Sequence, residues 1–224
     1  MGALLVANPL PARASSFVIS GIAEPGGNCV PFGCPGLLPG MQYQQVYDAA
    51  LFSDLMLIDT ISFFNTLSLP GDIHVAAYEI CLSTTSRGVN ELDGRSLSDN
   101  IGSDSAVFFS GTLGGPGSMA DGVFSIAGSA FEYDPRRGNL LLDVRVLSVV
   151  EGISPTIFLD FDGTSVDSSR VCAGVPCGAS SGLVTRFSDH SVPEPSIIFL
   201  VATALAVARA GRRRAFHRGS PARY

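Results

Sequence analysis

Asn139-Leu140-Leu141-Leu142-Asp143-Val144-Arg145-Val146 decides the fold class. Leu140, Leu142, Val144 and Val146 fall on one side of an extended chain, and Asn139, Asp143 and Arg145 on the other. That is the period-two pattern of a half-buried strand. Short apolar runs of the same type recur outward from it, at residues 42–52, 57–65, 73–84, 106–111, 123–133, 156–162 and 183–187, each bounded by Gly, Pro, Asn or Asp clusters. Within 123–133 the apolar face changes parity between Ile126 and Phe131 around Gly128-Ser129, which predicts a β-bulge. No stretch of the body sustains a helical period. About eight short strands without helices predict an all-β chain, an antiparallel β-sandwich of jelly-roll type, with a short hydrophobic helix at the C-terminal end.

Composition agrees with a folded body. The chain has 224 residues, 46% of them hydrophobic and 15% charged, with 25 Gly and 14 Pro. Gly and Pro together stay below the roughly 25–30% at which low-complexity disorder becomes the default. The net charge of −6 is unevenly spread. Residues 1–190 carry 19 carboxylates against 8 arginines, a balance of −11, whereas residues 191–224 carry one carboxylate, Glu194, against 6 arginines, a balance of +5. An acidic body repels phosphate backbones, so nucleic acid is not an expected partner.

The basic end has an order of its own. Val192-Pro193-Glu194-Pro195-Ser196 is a Pro-rich break, residues 197–208 are apolar, and Arg209, Arg212, Arg213, Arg214 and Arg218 follow. Two prolines flanking Glu194 can neither join a strand ladder nor continue a helix, so the break stays extended and accessible. As a helix, the apolar stretch rises roughly 18 Å, short of a roughly 30 Å hydrocarbon core, which makes it a weak anchor. Arginines directly after an apolar helix favour the cytoplasmic side and place the body across the membrane. This tail resembles the PEP-CTERM sorting signal of Gram-negative bacteria, with Val192, Pro193, Glu194, Pro195 and Ser196 as the motif and Arg209, Arg212, Arg213 and Arg214 as the basic stop cluster. The resemblance implies recognition by an exosortase, a membrane-embedded cysteine protease or transpeptidase that removes the tail near the motif. An ordinary amphipathic C-terminal helix or a tail anchor is the plainer alternative.

Export needs a leader, and Gly2-Ala3-Leu4-Leu5-Val6-Ala7 followed by Ala12-Arg13-Ala14 before Ser15 reads as part of one. The apolar run is short and no basic region precedes it, so the expectation is that the true start lies upstream. A disordered N-terminal tail is the alternative. The expected organisation is a partial signal-peptide remnant (1–14), a Cys/Gly/Pro-rich segment (15–41), a β-sandwich body (42–190), the sorting signal (191–216) and a tail (217–224). Cys29 and Cys34 share a four-residue gap with Cys172 and Cys177, both pairs in turn-rich stretches. In an oxidising exterior these are disulfide candidates, either as two local bridges or as two bridges between the loops, with reduced structural thiols as the alternative. Zinc is disfavoured because structural pairs prefer a gap of two and no His lies in either loop. Cys81 is left over within a strand.

Several body segments, among them Leu82-Ser83-Thr84-Thr85-Ser86, Phe131-Glu132-Tyr133-Asp134-Pro135 and Ser169-Arg170, resemble an extracellular body that recurs in PEP-CTERM proteins, over about residues 42–190. That resemblance implies a secreted β-sandwich associated with the envelope or the exopolysaccharide matrix, and no catalytic residue.

Catalytic groups are scarce. His190 and His217 lie in or beyond the sorting signal's flank, leaving His74 in the body as a polar strand position beside the Pro70-Gly71-Asp72 turn. No Gly-x-Ser-x-Gly elbow occurs. Asp160-Phe161-Asp162-Gly163-Thr164-Ser165-Val166-Asp167 puts three carboxylates in one turn, superficially like the start of a calcium loop, but has no Glu at the twelfth position. One reading holds a calcium ion with Asp160, Asp162 and Asp167, and the other is plain turn chemistry. Asp99-Asn100 with Asp104 is a second oxygen-rich turn. No other cofactor is expected. Sugar faces use stacked aromatics, yet Trp is absent and the body offers only Tyr43, Tyr47, Tyr78 and Tyr133. Phe108, Phe109, Phe124 and Phe158 are expected in the core. The reading is a non-enzymatic extracellular matrix protein, exported, transiently anchored in the inner membrane and then displayed or released. Its expected partners are the exosortase and exopolysaccharide. Alternatives are a calcium-dependent carbohydrate-binding module and a secreted glycan-active enzyme.

Overall fold

A computed structural model describes residues 17–21, 24–34, 36–66, 71–150, 156–177 and 182–189. Its strands, in chain order, are β1 (Phe17–Ser20), β2 (Glu24–Asn28), β3 (Gln42–Tyr47), β4 (Met56–Phe64), β5 (Ala76–Thr85), β6 (Ala106–Leu113), β7 (Val123–Tyr133), β8 (Asn139–Val149), β9 (Leu159–Asp162), β10 (Ser168–Ala173), β11 (Gly182–Leu183) and β12 (Thr185–Ser188). The helical pieces among the described residues are 3₁₀ turns of three or four residues, so the fold is all-β there. The expected C-terminal helix lies outside the described residues.

All strand pairs are antiparallel. Four strands pair in the order β1-β12-β4-β7, five in the order β10-β3-β8-β5-β6, and three in the order β11-β9-β2. The two larger sheets share one apolar core, to which β4 sends Ile58, Ile61 and Phe63, and β8 sends Leu140, Leu142, Val144 and Val146. Edge-to-face ring contacts cross between them, as where Tyr47 of β3 meets Phe187 of β12 at 4.8 Å.

The deciding stretch forms β8 and occupies the middle of the five-stranded sheet, between β3 and β5. Its inward residues are as expected, but its other face is also covered: Leu141 is fully buried and Asp143 nearly so. The cover is the loop between β5 and β6, held to the outer face by side-chain bonds. Gln44 donates to the Leu97 carbonyl at 3.0 Å, Asn100 donates to Gln44 at 2.8 Å, and Asn90 N–H donates to the Ser169 hydroxyl at 2.6 Å. A long polar loop with no apolar period of its own gives no sign in the sequence that it lies on a sheet.

The bulge falls where parity predicted it. Between the pairs Ile58↔Phe131 and Thr60↔Ala127 the β4–β7 register shifts, with Gly128 and Ser129 among the extra residues of β7. Gly128 is required by proximity, since a Cβ there would run into the carbonyl and ring of Phe108 on β6.

The stretch before β3 also contributes to the core, through the buried Val30, Phe32, Leu37 and Met41. β1 pairs with β12 and β2 with β9. The loop from Cys29 to Cys34 drives Phe32 into the interior, where its ring lies 5.1 Å from Phe63, 5.3 Å from Tyr78 and 5.2 Å from Phe124. Asn28 clamps the loop by bonding Val30 through both its side-chain oxygen and its nitrogen. Further on, Phe32 carbonyl accepts from His74 N–H, and Gly33 carbonyl from Ile157 N–H.

Candidate functional site

Cysteine chemistry is settled by proximity. Cys29 bonds Cys34 and Cys172 bonds Cys177, so both bridges are local and the arrangement between the loops is not adopted. Cys81 is free, on β5, half-buried. Burial first, then the charges of Glu79 and Asp143, push its thiol pKa up, with Arg145 opposing them. Two disulfides suit an oxidising, extracytoplasmic compartment and are consistent with export.

The acidic turn does not gather its carboxylates. Asp160 is fully buried, and its Oδ1 accepts from Thr66 N–H at 3.0 Å and from the Thr66 hydroxyl at 3.2 Å. Asp160 Oδ2 finds no partner among the described residues. Asp162 instead caps its own turn, accepting from Thr164 N–H at 2.9 Å. Asp167 contributes its backbone carbonyl to Asp48 N–H. Among the described residues no group of three or more His, Cys, Asp or Glu side chains converges on a metal position. In the second oxygen-rich turn, Asn100 is buried and bonds Gln44 and Asp93, while Asp104 Oδ1 accepts from Thr84 N–H at 2.7 Å.

His74 is not on a strand; it precedes β5 in irregular chain, nearly buried, with Nε2 lacking a partner among the described residues. Tyr43, Tyr47, Tyr78 and Tyr133 are all fully buried, so none offers a ring for stacking. Tyr43 donates to Gln45 Oε1. Desolvation pushes Tyr43 up to about 12 against the opposing charge of Arg170. Burial raises Tyr47 well above its ordinary value, and Tyr78 and Tyr133 also move upward by burial. Phe108 and Phe124 are core residues and Phe109 is packed against it, but Phe158 is 37% exposed, outside the core.

An open cavity among the described residues takes in Asp99 and Asp104 of the second oxygen-rich turn, but joins them to residues that nothing in the sequence groups with them. A recess of about 330 Å³ lies between the end of β5, the last part of the β5–β6 loop, and the turn joining β7 to β8. Thr84, Thr85 and Ser86 form one wall, Asp99, Ser103 and Asp104 another, and Arg137 the third. Gly102 lets the walls meet, because a Cβ there would collide with the Thr84 carbonyl. The walls are tied together: Gly102 N–H donates to the Ser83 hydroxyl at 3.2 Å, and Asn139 donates to the Arg87 carbonyl at 2.9 Å. The lining is polar except for Ile101 and contains no aromatic ring.

The motif residues Val192 to Ser196, the apolar residues 197–208, the basic cluster, His190 and His217 lie outside the described residues. No helix among the described residues is long and apolar enough to cross a membrane. Comparison with protein-family models, with curated proteins and with solved structures finds no match.

Proposed function

We propose that the chain is an exported, non-enzymatic component of the extracellular matrix, sorted through a PEP-CTERM-type tail by an exosortase and carrying a jelly-roll-like β-sandwich. The observation that carries this is the ordered tail: Val192-Pro193-Glu194-Pro195-Ser196, then apolar residues 197–208, then Arg209, Arg212, Arg213 and Arg214. Any of the three parts alone is common; their order at one end is not. The two disulfides add support, since such bridges persist outside the reducing cytosol. Two sheets sharing one aromatic-rich core support the sandwich reading. In this reading the short apolar stretch holds the protein in the inner membrane only until the tail is removed, and the acidic body remains at the surface or in the matrix. The test is expression of a chain tagged near its N-terminal end in a strain with an active exosortase. Loss of the tail, read by intact mass, with the body recovered outside the inner membrane is the expected result. An uncleaved chain retained in the inner membrane would sink the proposal.

A further inference from the structure

We infer that the recess between β5, the 99–104 turn and Arg137 binds one ring of an uncharged, polyhydroxylated ligand, the sugar unit of a neutral polysaccharide. Its volume, about 330 Å³, sits at the small end of the roughly 300–1,000 Å³ of ligand pockets. Its chemistry narrows the ligand further. Arg137 presents a guanidinium and Asp99 a carboxylate, both on exposed side chains that make no ion pair among the described residues. Thr84, Thr85, Ser86 and Ser103 complete the polar lining, the Thr85 hydroxyl also accepting from Arg87 N–H at 3.1 Å.

Four classes of ligand meet this lining differently. A flat aromatic finds no ring to stack on. A phosphate that reaches Arg137 is repelled by Asp99 and Asp104, and a cation that reaches the carboxylates is repelled by Arg137. A sugar hydroxyl both donates and accepts, so vicinal hydroxyls can donate to Asp99 while accepting from Arg137, each a charge-assisted bond. The remaining ring hydroxyls match the Thr and Ser groups. The walls are preorganised, since Asp104 and Ser83 bond the backbone of the facing segment and Gly102 closes the gap between them, so little ordering entropy opposes binding. Without stacking, affinity per ring is low, with Kd on the order of 1 mM.

That such a polymer surrounds the protein rests on the matrix reading above; the choice of a neutral sugar rests on the recess alone. The experiment titrates the ¹⁵N-labelled full chain with cellotetraose and with laminaritetraose, and in parallel with inorganic phosphate and with glycine. Saturable shifts at the amides of Thr84, Gly102 and Ser103 with at least one tetrasaccharide are expected. Arg137→Ala and Asp99→Asn should each weaken that binding about tenfold, because each removes hydrogen bonds to a charged group. Both side chains are exposed, so the melting temperature should hold. No saturable shift with either tetrasaccharide up to tens of millimolar overturns the proposal, as do equal shifts with phosphate or glycine, or unchanged sugar affinity in both variants. A chain that is sorted and cleaved but blind to both sugars refutes this inference and leaves the sorting reading standing. One that binds through the recess but is never sorted does the reverse.

Discussion

Phe32→Ala tests whether the small disulfide loop is a structural plug or an ornament on the surface. Phe32 is fully buried and its ring touches three others, at 5.1–5.3 Å from Phe63, Tyr78 and Phe124. Truncation removes the transfer free energy of the ring and leaves a cavity whose other walls are anchored in β4, β5 and β7. Such walls relax little, so the cost should be about 3–5 kcal/mol. The bridge next to it acts on the unfolded chain instead. Closing a loop with a sequence separation of 5 contributes about 2 kcal/mol by loop-closure entropy, so Cys29→Ser with Cys34→Ser should cost less than the single ring. Urea unfolding followed by far-ultraviolet circular dichroism measures both, with Leu38→Ala as control because Leu38 is 59% exposed and should cost under about 0.5 kcal/mol. If Phe32→Ala lowered stability by no more than Leu38→Ala does, the plug would be refuted, and with it the inclusion of residues 29–34 in the core.

Three further outcomes follow from the same structure. Alkylation of the unfolded chain should add one group without reductant and five after reduction, read by intact mass, because Cys81 alone is unbridged; native Cys81 should react slowly at mildly alkaline pH, its thiol being held protonated by burial and by Glu79 and Asp143. Asp143 has its carboxyl raised above the ordinary 3.8, mainly by burial, against the pull of Gln42 and Arg145. The stability that its neutral form contributes is therefore complete below 3.8 and lost as pH rises through the higher folded value, so Asp143→Asn should gain on the wild type as pH rises across that window, and a widening deficit would contradict this. Gly128→Ala places a Cβ about 2.6 Å from the Phe108 ring and closer still to its carbonyl, which should cost about 1–3 kcal/mol in the same urea assay; an unchanged midpoint would mean that the bulge is looser than described.

Strands announced themselves where one face met the core and the other met water. β7 spans residues 123–133 as its pattern required, and the parity change marked its bulge. Residues 183–187 form a single apolar run in the sequence but are divided between two sheets, in β11 and β12. β10 carries no strand signal because Ser168, Ser169 and Arg170 are polar and yet buried, the Ser169 hydroxyl accepting from Asn90 N–H far away in sequence. Polar residues buried by a network carry no hydrophobic period, so only the folded arrangement reveals them. The recess was hidden for a related reason. Thr84 ends β5, Asp104 belongs to the oxygen-rich turn before β6 and Arg137 to the turn before β8, and only the β5–β8 pairing and the loop folded over the outer face bring them together. The disulfides lie between these cases, since spacing nominated the four cysteines but only folding chose between local and crossed pairing.

Charge gives the sugar inference a test independent of any variant. Residues 1–190 carry a balance of −11, so a ligand held mainly by long-range attraction would have to be cationic. An anionic polymer would approach against that field and would bind better as salt screens it. A neutral ring meets neither effect. Its bonds to Arg137 and Asp99 form at contact distance, inside a Debye length of about 8 Å at physiological ionic strength, and no condensed counterions are released. The dissociation constant for a neutral tetrasaccharide should therefore change less than about twofold as sodium chloride rises from about 50 mM to about 500 mM, measured by the amide shifts at Thr84 and Gly102. A steep change of that constant with salt, in either direction, would mean that uptake of the sugar depends on the long-range field of the acidic surface or on release of bound ions. Either slope would refute contact-distance bonding to Arg137 and Asp99 as what holds the ring.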